Sequence, residues 1–306
     1  MKRKIVQHGN STLTLSLPSK WVKENNIKKG QILDIEPSEK GLLINLNKIK
    51  LDSIEITLSD EKEWYIHRIL SHLYTYGFDE IKINYTNLDQ LSLIRNSLNE
   101  LSGFEVVESK SNYCKIKSVT SVDTAEFNST MNRTFWQILS QFDYFIEDIE
   151  KKEYLNLNES FEIHRVVVKL INISKRLINK NIIYGRITSK YAYNLLIGLL
   201  NISRSITYSY HYAEKNKCGF TKDEIELIKK IRESYYKLIS SYQNLDMKNI
   251  KLFLDEREAT INESLEVLKG KNPVPIHFFL DMFKEFSTIS NFVIIMKTDN
   301  DNSTKN

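Results

Sequence analysis

Only two cysteines occur in 306 residues, and Cys114 and Cys218 show no paired spacing. That excludes a disulfide framework and a cysteine-based zinc site, and a reducing, cytoplasmic setting is expected. No apolar run approaches the ~18–20 residues that cross a bilayer, so no membrane insertion is expected. "MKRKIVQHGN" opens with basic residues but no apolar stretch follows, so no secretory signal is read there. There is no glycine-rich phosphate loop, no His-Glu-x-x-His and no Gly-x-Ser-x-Gly. The chain therefore reads as a non-enzyme without a cofactor. Four prolines and nine glycines are few, and between Pro37 and Pro273 proline is absent. Long helices are permitted there.

The total charge of +4 says little, but its distribution says more. Residues 1–50 carry ten Lys/Arg against four acids, a net of +6, which leaves −2 for the remainder. A polyanion would be met by the first sixth of the chain.

Three segments follow from periodicity. Residues 1–50 read as four short strands and one short helix: "KRKIVQ", the turn "HGNS", and "TLTLSL" with Leu13, Leu15 and Leu17 on one face. Pro18 closes the strand, and Ser19 is the expected N-cap of "KWVKENN". "QILDIEP" and "LLINL" follow across Glu39-Lys40-Gly41. So small a core needs a partner or a fused neighbour. Residues 51–120 read as β-α-β-α-β-β, an α/β layer. Its first helix carries Ile66, Ile69, Leu70 and Leu73 with Asp60 at the cap, and its last hairpin turns at Ser111-Asn112. Residues 121–298 read as six long helices in two sets of three, the fourth opening at a capping box of Thr221 with Glu224. A polar tail, residues 299–306, is expected to be disordered. The fold class is multidomain α+β.

The turn Gly9-Asn10-Ser11, the strand into Leu17-Pro18, the helix to Ile27 and Gly30-Gln31-Ile32-Leu33 carry a resemblance. In the form L-P-x-x-W-x-x-x-x-x-I-x-x-G-x-x-L, they resemble the swapped-hairpin DNA-binding fold of the AbrB/MazE/SpoVT family. The resemblance implies two chains interlaced into one β-barrel and an obligate homodimer on double-stranded DNA. Position by position it implies DNA contacts from Arg3, from Asn10 and Ser11 at the turn, and from Lys23. Arginine is frequent in the family at the turn and at the position of Val22; Lys2, Lys4 and Lys20 would supply phosphate contacts instead. The whole order is similar to archaeal proteins that fuse such a head to a PhoU-like helical body. That implies control of phosphate uptake and homeostasis through transcription. The alternative is an adaptor that contacts a phosphate transporter ATPase or a sensor kinase without binding DNA.

PhoU-like bodies often bind metal clusters through Glu-x-x-x-Asp, a motif this chain lacks. Glu159, Glu162 and His164 stand near the start of the second long helix, but His164 lies ~200° round from Glu162. A solvated helix start is the simpler reading, and no metal is expected. Glu256, Glu258 and Glu263 on the fifth long helix form no such motif either. His67 and His72 are five residues apart, a poor spacing for a shared metal on a helix. Tyr191, Tyr193, Tyr208, Tyr210 and Tyr212 are expected to divide between core and interface.

Overall fold

The computed structural model describes residues 3–9, 12–38, 41–45, 53–119, 124–180 and 186–303. The chain divides into two compact units, Met1–Lys50 and Leu51–Asn306.

In the first unit, β1 (Ile5–His8) pairs antiparallel with β2 (Thr12–Leu15), and β3 (Asp34–Ser38) with β4 (Gly41–Asn45). Between the pairs lies α1 (Ser19–Glu24). Its N-cap is Pro18 rather than the expected Ser19. The Pro18 carbonyl accepts from Val22 N at 2.9 Å, so Ser19 is already the first helical residue. His8, expected in the turn, belongs to β1, while Arg3 precedes the strand.

The second unit opens with β5 (Ser53–Thr57), α2 (Glu63–Tyr76), β6 (Glu80–Asn84), α3 (Leu88–Leu98), β7 (Phe104–Lys110) and β8 (Tyr113–Ser118). The sheet order is β5-β6-β8-β7, with β5 and β6 parallel and the other neighbours antiparallel. Alternation decides which face is covered. Ile81, Ile83, Cys114 and Ile116 point to one side and share a core with Ile66, Leu70, Tyr74 and Ile94 of the helices. The intervening residues are charged, and Glu80 and Lys117 pair at 3.2 Å on the other side. The expected Asp60 cap is displaced: Glu61 Oε2 takes the Ser59 N–H at 2.7 Å, and α2 begins at Glu63 with Lys62 as its N-cap.

Six helices follow among the described residues: α4 (Thr124–Lys151), α5 (Leu157–Asn179), α6 (Arg186–Lys215), α7 (Lys222–Asn244), α8 (Met247–Val267) and α9 (Pro273–Ser303). α4, α5 and α6 pack on one another, as do α7, α8 and α9; α6 against α9 and α4 against α7 join the sets. One core runs through all six, with Phe135, Val167, Leu199, Ile231, Phe253 and Phe279 among its members. The capping box forms as expected: Thr221 Oγ1 accepts from Glu224 N at 3.3 Å, and Glu224 Oε2 from Thr221 N at 2.7 Å. α9 continues to Ser303, so residues 299–303 are helical where a disordered tail was expected. No helix among the described residues is long and apolar enough to cross a membrane.

The α/β layer and the helices meet where α2 packs on α5, within one unit, so residue 120 marks a change of layer inside it. Gly77 ends α2 at φ +121°, a conformation L side chains rarely adopt, and a Cβ there would lie 3.1 Å from Lys180 Cγ.

Candidate nucleic-acid interface

The register of the first hairpin sets its two faces. Ile5 is opposite Leu15 and Gln7 opposite Leu13, so these four share one face; Val6, His8, Thr12 and Thr14 share the other. Thr14 Oγ1 donates to the Val6 carbonyl at 3.0 Å. Among the residues of the first unit whose burial is described, none is buried. Ile5, Val6, Leu13, Leu15, Ile32, Ile35 and Leu42 are 54–87% exposed. Trp21, Val22 and Ile27 are half-buried, so α1 is partly sheltered while β1 and β2 are exposed along their length.

Of the residues read as DNA contacts, Lys2, Asn10 and Ser11 lie outside the described residues. Arg3 and Lys4 are exposed just before β1, at the open end of the hairpin from which Pro18 leads into α1. Lys20 and Lys23 are exposed on that helix. The fold thus brings Arg3, Lys4 and α1 to one end. Four residues of strand, at about 3.3 Å each, put His8 roughly 13 Å from Lys4 along the hairpin.

Among the described residues, this unit holds one ion pair, Lys20 with Glu24 at 3.8 Å, one helical turn apart and solvent-exposed. Such a pair is weak, and a polyanion can displace it. Lys28 and Lys29 are also exposed, in the turn after α1, where the Lys28 N–H is held by Gln31 Oε1 at 3.1 Å. They add two cations beyond those singled out from the sequence, and the signal for them was their place in the basic first fifty residues.

The second unit resolves the other candidates. Glu159 and Glu162 are exposed, and Glu162 pairs with Arg165 at 3.1 Å. His164 turns to the core side, where Nδ1 lies 2.8 Å from Ser203 Oγ. Glu256, Glu258 and Glu263 are exposed on α8, and Glu263 pairs with Lys230 at 2.5 Å. No group of three or more His, Cys, Asp or Glu is placed to hold a metal among the described residues. His72 is exposed; the His67 imidazole meets Glu100 at 2.9 Å, and that hydrogen bond holds its pKa above the ordinary histidine value. Two-residue spacing divides the α6 tyrosines: Tyr210 is buried, whereas Tyr191, Tyr208 and Tyr212 are exposed.

A buried polar site in α5 escaped sequence reading. Arg176 is 4% exposed. It donates to the Tyr74 and Phe78 carbonyls at 2.8 Å each and pairs with Asp79. Nothing in the helical spacing distinguishes it from a solvated cation.

Comparison of the chain with protein-family models, with curated proteins and with solved structures finds no match.

Proposed function

We propose that the chain is a dimeric DNA-binding regulator of phosphate uptake whose N-terminal units from two copies interlace into one β-barrel. The observation that carries the dimer is the exposure of Ile5, Val6, Leu13 and Leu15 in a unit with no buried residue among those whose burial is described. An isolated two-stranded hairpin is marginal at best, and a second copy would supply the missing cover. The exposed Arg3, Lys4, Lys20, Lys23, Lys28 and Lys29 support a polyanion as ligand. On duplex DNA these cations contact phosphates, and the twofold of the dimer matches two half-sites. The tie to phosphate rests on the resemblance of the whole order to AbrB-like heads fused to PhoU-like bodies. In this reading the helices form the 3+3 body that senses the signal.

Genome-wide DNA occupancy in cells grown with high and low phosphate tests it. Discrete sites near phosphate-uptake genes, changing with phosphate, are expected. Absence of discrete sites would defeat the reading.

The adaptor reading draws on α8, whose Leu252, Leu254 and Leu265 are exposed. An adaptor acting through such a surface would show no salt-dependent DNA affinity.

A further inference from the structure

The four-stranded sheet ends in two edges that differ. At β7 the pairing shifts register between Val106 and Glu108, and Glu105, Glu108 and Lys110 load the strand with charge. Bulges and charges of this kind blunt an edge. β5 has no bulge, no proline and no lysine, and it pairs with β6 without a break. Its one charge, the Glu55 carboxylate, accepts from Asn84 Nδ2 at 2.9 Å.

The parallel ladder fixes which main-chain groups of β5 stay open. Leu58 N donates to the Asn84 carbonyl at 2.8 Å. Main-chain groups of successive residues in a strand point to alternate sides. Ile54, Ile56 and Leu58 therefore bond toward β6, and the N–H and C=O of Ser53, Glu55 and Thr57 point outward. Among the described residues no further strand pairs with them. The side chains alternate too. Ile54 and Ile56 stand beside Ile81 and Ile83 on the helix-covered face, yet Ile81 and Ile83 are buried and the β5 pair only half-buried. At β5 the main-chain ladder and the apolar cover both stop short.

We propose that β5 of a second copy adds to this edge, antiparallel, about a twofold axis at Ile56. An axis normal to the sheet keeps the helices of both copies on one side. In this register Ile54 faces Leu58 of the second copy, Ile56 faces its own counterpart, and Glu55 faces Thr57. Apolar residues then meet only apolar ones. Glu55 and Thr57 both bond outward, so their two pairs exchange about four main-chain hydrogen bonds. An axis at Glu55 would set two carboxylates face to face, and one at Ile54 would leave Ile56 without an apolar partner. So short a pairing is marginal alone, and the contact rests on the dimer proposed above. β5 opens eight positions after β4 ends. Two copies joined through their first fifty residues thus hold their β5 strands on tethers of about 28 Å at most.

Hydrogen exchange of the full chain, resolved to single amides over a range of protein concentrations and run beside sedimentation, tests it. The Ile54 and Ile56 amides, bonded to β6, should be slow throughout. Those of Glu55 and Thr57 should slow roughly tenfold or more as the dimer forms. Thr57→Pro removes an outward donor that β6 does not use, at a position proline tolerates on an edge strand. That variant should keep its circular dichroism and its first-unit dimer yet exchange Glu55 freely, whereas Thr57→Val should behave as the parent. A dimeric parent whose Glu55 amide exchanges as fast as in Thr57→Pro would overturn the contact and leave the first-unit dimer standing. A parent that sediments as a monomer would overturn both. Protection that is independent of concentration, or that persists in Leu13→Asp/Leu15→Asp, would mean that another segment fills the edge, and would overturn the contact as well.

Discussion

Arg176 on α5 donates to the main-chain carbonyl of Tyr74 in the last turn of α2, at 2.8 Å. The last carbonyls of a helix lack partners within it, and here a neighbouring helix supplies them. Asn179 Nδ2 does the same for Thr75 O at 2.7 Å. The Arg176 guanidinium also lies 4.9 Å from the Tyr74 ring centroid and 5.1 Å from that of Phe104. It thereby joins α5 to both the helix and the sheet of the α/β layer.

Arg176→Ala should therefore destabilise the second unit by about 3–5 kcal/mol, the range for breaking a buried pair by removing one partner. Lys180 Nζ, 2.6 Å from Asp79 Oδ1, remains to hold the carboxylate, which favours the lower end. Urea unfolding monitored by circular dichroism measures the loss. A change within ±0.5 kcal/mol, as for an ordinary surface residue, would contradict this role.

The His67–Glu100 pair gives a pH dependence with a defined sign. The hydrogen bond to Glu100 is the largest influence on His67 and raises its pKa above 6.5. The same bond lowers Glu100 below 4.5. The histidine contribution is fully present below its unfolded value and is lost as pH rises through the raised folded value. The glutamate contribution is present above 4.5 and is lost as pH falls through the depressed one. The pair is thus most stabilising between these limits, by no more than ~1 kcal/mol given its partial exposure. His164, depressed by burial, acts in the opposite direction and loses stability as pH falls. Comparing the unaltered chain with His67→Gln isolates the pair: the stability difference should shrink between pH 6 and pH 9. A difference independent of pH would exclude the assignment.

Gly198 fixes the approach of α6 to α9. A Cβ there would sit 2.3 Å from Thr288 Oγ1 and 3.2 Å from Thr288 Cβ. Gly198→Ala should cost about 1–3 kcal/mol through overpacking, even though alanine is the better helix former. Adding Thr288→Ala should recover part of the loss, because the closest atom is then gone. Thermal melts of the two variants measure this; equal stability of Gly198→Ala and the parent would refute the close approach.

These contacts mark the limit of what periodicity conveys. The spacing of Ile66, Ile69, Leu70 and Leu73 announces an amphipathic helix, and the Ser111-Asn112 turn announces the β7–β8 hairpin. Apolar alternation identifies a face but not a neighbour, so the insertion of β8 between β6 and β7 was not legible. Arg176 and Gly198 were equally silent, since their roles depend on residues about ninety to a hundred positions away. In the first unit, β1 and β2 are exposed along their length, as expected of a segment too small to bury a core of its own. The two helix starts misread at Ser19 and Asp60 fall one residue late and two residues early: the Val22 N–H goes to the Pro18 carbonyl, and α2 takes Lys62 as its N-cap.

On the proposed DNA face, Lys23→Glu should weaken binding to all duplexes alike and lower the salt slope by about one. Glu24→Gln should act oppositely, freeing Lys20 from its 3.8 Å pair. Mobility shifts across a salt series measure both. An unchanged shift for Lys23→Glu would remove Lys23 from the face.

The most direct test of a DNA-docking dimer built on the first hairpin is sedimentation of the full chain with a fluorescent duplex, at several salt concentrations, beside the variant Leu13→Asp/Leu15→Asp. The account predicts a dimer whose DNA affinity falls steeply with salt, and a variant with intact helices that sediments as a monomer and binds duplex weakly. A parent chain that sediments as a monomer, or that binds duplex without salt dependence, would contradict it.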